Sequence, residues 1–285
     1  MNRPVLHLWP PVVRGLLPVL LTLVAGLIIG GPSTVLGTWV ACSILLPVWA
    51  RSRWLWWFAA TVRRFQTISG TGAVLHLSPN LANNPFLPIL LKTVEAKSHA
   101  LAGQFGFRLR RTVAVYLFAR TQDIANLFGP NCGALALPRL NAIILAEDCD
   151  WEEIAEHELA HLFAARWNPS APPILAEGLA VWLQRSQEGR RVHLVANKVL
   201  AHSSIGLASL LDPEFFFSRR YIHSCYALAG SFTGSLISRF GWDRYRTLYR
   251  RCRGRRLGAT FRACLGISLK QAERDWRAEL RALGM

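Results

Sequence analysis

The chain has 285 residues, of which 52% are hydrophobic and 18% charged, and its 33 Lys and Arg against 17 Asp and Glu leave a net charge of +16. That composition is too apolar for a disordered chain, and no self-similarity at a period of about 20–50 residues supports a solenoid or propeller. The charge favours anionic partners such as phosphate, anionic lipid or acidic polymer.

The charge is unevenly spread. No Asp or Glu precedes Glu95, while Arg3, Arg14, Arg51, Arg53, Arg63, Arg64 and Lys92 all lie in that first third. After a short tail, residues 1–14, come two uncharged apolar runs, Gly15–Pro32 and Ser33–Ala50. Each is long enough to span a bilayer core, which takes roughly 17–25 apolar residues. A signal-peptide core, a buried hairpin of a soluble protein and a re-entrant segment compete with this reading. The first is disfavoured because the run is long and no polar sequence follows it. We therefore expect a two-helix transmembrane hairpin over residues 15–50. Arginines flank it on both sides and none lies in the Gly30-Gly31-Pro32-Ser33 turn, so the positive-inside rule places both flanks, and everything after residue 51, on the cytoplasmic side of a cell (inner) membrane. Residues 51–70, with Trp54, Trp56, Trp57 and Phe58 ahead of Arg63 and Arg64, read as a basic, aromatic juxtamembrane segment.

The rest, residues 71–285, reads as one domain whose part from 190 onward is helical and basic. Six cysteines, Cys42, Cys132, Cys149, Cys225, Cys252 and Cys264, form no C-x-x-C pair, which fits reduced thiols and neither a disulfide framework nor a zinc ribbon. A linker rich in Ser, Asn and Pro precedes an expected amphipathic helix over Leu91–Phe107. The β-branched and aromatic run Thr112–Phe118 predicts a strand. Gly133–Leu137 and Asn141–Ala146, joined by Pro138-Arg139-Leu140, predict a β-hairpin. Asp150 as N-cap, with Glu153 three residues on, predicts that a helix follows at once.

That helix, Trp151–Ala165, carries the sequence His157-Glu158-Leu159-Ala160-His161. The H-E-x-x-H spacing sets two imidazoles one turn apart on one face of an otherwise apolar helix. Histidines on a buried helix need a partner, and a divalent metal supplies one. Chance alone gives this pattern in roughly 1% of shuffled chains of the same composition. After Pro172-Pro173 a second helix is expected to carry Glu177, with enough chain between it and His161 for an antiparallel return. His157, His161 and Glu177 are thus expected to bind one zinc ion, the metal that two His and one Glu favour.

With these motifs the chain resembles the gluzincin zinc metallopeptidases, in particular their peptidase MA-like group. The resemblance runs over residues 110–245: a strand, a hairpin ending in Ala142–Asp148, the helix with His157-Glu158 and His161, the Glu177 helix, and a later helix beginning near Tyr226. It implies an α+β fold with a small sheet, an active-site helix and a helical C-terminal part. It implies zinc ligands at His157, His161 and Glu177, Glu158 as general base, and a peptide or protein substrate. Zinc chemistry agrees, since a carboxylate beside activated water can take its proton and pass it to a leaving amine. The family also implies an oxyanion donor, for which Tyr226 is the first candidate and Tyr221 and His223 are the alternatives. The strand Asn141–Ala146 is expected to edge the cleft and pair with extended substrate.

Other features read more plainly. Glu147, Asp148, Asp150, Glu152, Glu153 and Glu156 crowd the start of the motif helix, where acids favour the helix N-terminus; Glu156 is also a candidate to support a zinc ligand. Cys149 reads as an ordinary thiol. From Arg244 onward twelve Lys or Arg face three acids, expected as a solvated face or a contact with anionic lipid. No RNP, helix-turn-helix or finger pattern accompanies that charge, so nucleic acid is not favoured. The overall expectation is a membrane-anchored zinc metallopeptidase. Its rivals are a zinc hydrolase of a non-peptide bond and an inactive membrane-tethered binding module with structural zinc.

Overall fold

A computed structural model describes residues 57–81, 84–130, 132–184, 191–253 and 257–283. The chain divides into two units, Met1–Thr61 and Val62–Met285, and the second contains the whole sheet and the helices packed on it.

The centre of this second unit is one five-stranded sheet in the order β1-β2-β3-β5-β4. The strands are β1 (Gln66–Ser69), β2 (Ala73–Leu77), β3 (Val113–Phe118), β4 (Leu135–Leu137) and β5 (Ala142–Ala146). β1 and β2 form an antiparallel hairpin, β2 pairs parallel to β3 and β3 parallel to β5, and β4 folds back antiparallel on β5. Parallel neighbours need crossovers, and two helices provide them: α1 (Leu87–Phe105) between β2 and β3, and α2 (Thr121–Phe128) between β3 and β5.

The rest is helical: α3 (Trp151–Trp167), α4 (Pro173–Gln184), α5 (Arg191–His202), α6 (Leu207–Leu210), α7 (Pro213–Phe216), α8 (Ile222–Phe240), α9 (Trp242–Arg251), α10 (Leu257–Leu265) and α11 (Leu269–Leu283). α3 lies on β4 and β5 and against α1, α4 packs on α3 and most extensively on α8, and α8 in turn meets α5, α9 and α11. Every residue of β5 is buried, as expected of a strand covered on both faces. Phe105, Phe163, Trp167, Trp242 and Tyr249 interlock where α1, α3 and α9 converge.

Two expectations about the fold class are corrected. The unit is a mixed α/β domain, not a segregated α+β one, because its three inner strands run parallel through helical crossovers. A transmembrane hairpin is not part of the observed fold: among the described residues no helix is long and apolar enough to cross a membrane, and residues 15–50 lie outside the described residues. The longest described helices, α1 and α8, turn apolar faces to the protein core and carry polar or charged side chains along their length. β1 also falls inside the 51–70 stretch read from sequence as juxtamembrane.

The hairpin expected at 133–146 is present as β4 and β5. At its turn Asn141 adopts φ 52°, a conformation to which Asn is better suited than most residues. Its buried amide donates to the Arg111 and Thr112 carbonyls at 2.8 and 3.0 Å, fixing the hairpin to the approach of β3.

Candidate metal centre

α3 begins where the caps indicated. Asp150 accepts the Glu153 amide at its N-terminus, and the helix then runs across the inner end of the sheet with Leu159, Leu162 and Phe163 in the core. Packing of that apolar face turns His157 and His161 toward α4, which starts at Pro173, where a missing amide is no loss at a helix N-terminus. Gly178, next to Glu177, lets α4 lie directly on α8: a β-carbon there would sit 2.6 Å from the Ala229 carbonyl oxygen. This close approach sets the position of Glu177.

The three residues meet. His157 Nε2 and His161 Nε2 are 3.1 Å apart, and each lies 3.3 Å from Glu177 Oε2. No other group of three or more His, Cys, Asp or Glu among the described residues is arranged to hold a metal ion. The distances provide a fit test. Ligand atoms at about 2.0–2.1 Å around a tetrahedral zinc ion stand about 3.3–3.4 Å apart, so the triangle matches one face of such a tetrahedron to within a few tenths of an ångström. The fourth corner is open, because the side chains of His157, His161 and Glu177 are 10, 18 and 14% exposed and all three line one cleft.

Electrostatics support the same arrangement. Burial opposes the Glu177 charge, but the two facing imidazoles hold its carboxyl well below the usual carboxylate range. On the far side of its ring, His157 Nδ1 lies 3.2 Å from Gln184 Oε1. Where that oxygen accepts from the ring, Nδ1 carries the proton and Nε2 presents its lone pair to the centre. Sequence motifs do not single out Gln184. It stands two turns after Glu177 on the same face of α4, and that spacing is the signal that could have found it.

Glu158 sits beside the triangle but outside it. It is 7% exposed, and burial pushes its carboxyl up to about 7, against the pull of His157 and with the push of Glu177. The amide of Ala136, in the middle of β4, donates to it. Tyr226 on α8 stacks on the His157 ring, with centroids 5.9 Å apart and planes 15° from parallel. Burial, then the carboxylates of Glu177 and Glu158, push its phenol well above the ordinary value, so it remains a hydrogen-bond donor. Tyr221 and His223 stand elsewhere. Tyr221 stacks on Phe215, and His223 lines a separate chamber.

The cleft holds about 630 Å³ and is walled by β4, the approach to it from Phe128, and residues of α3, α4 and α8. It is β4, residues Leu135–Leu137, that edges both sheet and cleft. β5 is shielded behind it, so the edge role expected of Asn141–Ala146 falls to its hairpin partner. Buried Asn168 also lines the cleft. Its amide donates to the Tyr249 and Cys252 carbonyls and its oxygen accepts the Ser170 amide.

The acids around the motif have structural work. Glu156 pairs with Lys97 of α1 at 2.7 Å and is not part of the His157, His161 and Glu177 triangle. Asp148 accepts the amide and hydroxyl of Thr121, and Glu147 accepts from Asn84. Cys149 is a free thiol donating to the Ala146 carbonyl, and its pKa is raised chiefly by burial. Comparison of the sequence with protein-family models and with curated proteins finds no match.

Proposed function

We propose that this domain is a zinc metallopeptidase of gluzincin type, with zinc held by His157, His161 and Glu177 and Glu158 as general base. The observation that carries the reading is the donor triangle of 3.1–3.3 Å edges beside a buried carboxylate that is not part of it. Zinc at such a site lowers the pKa of water toward neutrality and polarises a carbonyl.

The chain's own residues then have distinct tasks. Glu158, with a pKa pushed up to about 7, can take a proton from the attacking water and return it to the leaving nitrogen at neutral pH. The Ala136 amide that donates to Glu158 holds the carboxylate in place. The Tyr226 hydroxyl is a donor for the oxyanion that forms on the scissile carbonyl. Gln184 keeps His157 in the tautomer that binds metal. The open edge of β4 offers backbone groups to an extended peptide, which favours a peptide over a non-peptide substrate. A purely structural zinc would leave the buried Glu158 and the cleft without a purpose.

The test uses the full chain. Metal analysis should find about one zinc per molecule, lost in His161→Ala and in Glu177→Ala. Glu158→Gln should keep the zinc and lose about 10²–10⁴-fold in peptidase rate. Zinc retained in both ligand variants, or full activity in Glu158→Gln, would refute the assignment.

A further inference from the structure

A second chamber of about 340 Å³ adjoins the cleft of the metal centre, with Pro130, Cys132 and Ile222 as walls of both. The two differ in chemistry. Apart from His157, Glu158, His161 and Glu177, no ionisable acid or base lines the main cleft except Cys132, Tyr226 and Tyr249, so it carries no fixed positive charge. The chamber carries Arg219 and His223, with the polar side chains of Thr121 and Gln122. Arg219 makes no ion pair among the described residues, whereas the acid touching a chamber residue, Asp148, is taken up by the Thr121 amide and hydroxyl. An unpaired guanidinium in a chamber beside a cleft that has no Lys or Arg of its own is matched by a carboxylate, which it can hold through paired N–H donors.

The position follows from β4. Its Ala136 amide is bonded to Glu158 and so marks the level of the reacting centre. Gly133, three residues earlier in the chain, is part of the chamber wall. The chain bends at Gly133 and Ala134 before β4 begins, so the path from Ala136 to Gly133 is shorter than a fully extended one and at most about 10 Å, which an extended peptide covers in up to three residues. A peptide lying antiparallel to β4 points its C-terminal side that way.

We propose that Arg219 and His223 form a specificity subsite that recognises a carboxylate up to three residues C-terminal to the scissile bond. The carboxylate belongs to an acidic side chain or to a free chain end, and the inference rests on the peptidase reading above. The full chain, supplied with zinc, is assayed on internally quenched peptides that carry Glu, Gln or Lys at each position flanking the cleaved bond, each with a free or an amidated C-terminus. Glu over Gln should gain about three- to tenfold in kcat/KM at the matching position, with Lys poorest, and the gain should shrink as salt rises, since Arg219 is exposed. Dependence on a free terminus instead of on Glu identifies the chain end as the source. Arg219→Ala should abolish the Glu/Gln ratio and Arg219→Glu should invert the order to favour Lys, both with unchanged zinc content and melting temperature. An equal Glu/Gln ratio in wild type and Arg219→Ala, with no preference for a free terminus, overturns the subsite while leaving the peptidase intact. Absence of Glu158-dependent cleavage of every peptide by the wild type overturns the peptidase reading and the subsite with it.

Discussion

Gln184 shows how one uncharged side chain sets the chemistry of a charged site. A His157 ring free to choose its tautomer would spend part of its time with the proton on Nε2, facing Glu177 and His161, where metal cannot bind. The 3.2 Å contact to Gln184 Oε1 favours the tautomer with the proton on Nδ1. Gln184→Ala should therefore weaken zinc binding about 10–100-fold without changing the ligands, as read by competition with a chelator of known affinity; unchanged affinity would assign His157's orientation to packing alone. At this scale the sequence is informative wherever spacing encodes geometry. H-E-x-x-H and the later Glu mark three candidate ligands, and the structure brings them together. Tyr226, Tyr221 and His223 cannot be separated by spacing, because what separates them is the path of the chain before α8. Tyr221 precedes the helix and is held by Phe215, His223 faces the second chamber, and only Tyr226 reaches the His157 ring.

Among the elements, the pairing of α4 with α8 does the positioning. Gly178 faces Ala229 and Thr233, and Gly234 faces the Trp182 ring, so the helices touch backbone to side chain with no space for a β-carbon. Gly178→Ala would have to push α4 outward, and Glu177 with it. We expect a loss of about 1–3 kcal/mol in stability and a fall in zinc affinity, measured by denaturant unfolding and metal titration on the same protein; a loss of stability with zinc affinity intact would show that Glu177 follows the ion more than the helix. The hairpin of β1 and β2 depends on another element. Glu95 of α1 accepts the amides of Gly72 and Ala73 and the hydroxyl of Thr71, and these bonds, the Gly72 amide foremost, lower its pKa. A carboxylate whose folded pKa lies below its unfolded one stabilises the fold above the unfolded value, near 4.3 for Glu, and loses that contribution as pH falls through the folded value. Glu95→Gln should accordingly reduce stability at neutral pH and flatten the acid side of the stability profile, with little difference remaining at the lowest pH. This hairpin is not legible in the sequence. All four residues of β1 are exposed, so no apolar alternation marks them, and β2 is a five-residue strand adjoining the Ser- and Asn-rich linker. Without β2 the parallel crossover through α1 cannot be inferred, and that is why the sequence points to a domain of the segregated kind. The eight-residue α2 has one buried side chain, Ile124, too little periodicity to register. α3 and α4, by contrast, announce their starts through Asp150 and the Pro172-Pro173 pair.

Across the whole molecule, the centre would tie together side chains from two helices, α3 and α4, that are otherwise held by packing and the short 168–172 connection, so bound metal and folded state should support one another. A ligand that binds only the native protein adds about 4 kcal/mol when present at about a thousand times its dissociation constant. For a unit of this size each kcal/mol moves the melting point by about 2–4 °C, so saturating zinc should raise it by on the order of 10 °C over chelator-treated protein. A melting point indifferent to zinc in calorimetry would mean that the native state does not favour the ion. The shortness of β4 carries a different consequence. Three half-buried residues of edge strand offer a visiting chain only two or three main-chain partners, one of them the Ala136 amide already engaged by Glu158. So shallow a grip cannot compete with the hydrogen bonds inside a folded helix or sheet, so a peptidase of the kind proposed above should act on segments already unravelled, such as termini, long loops and damaged chains. Folding of the target, as much as its amino-acid sequence, would then decide what is cut.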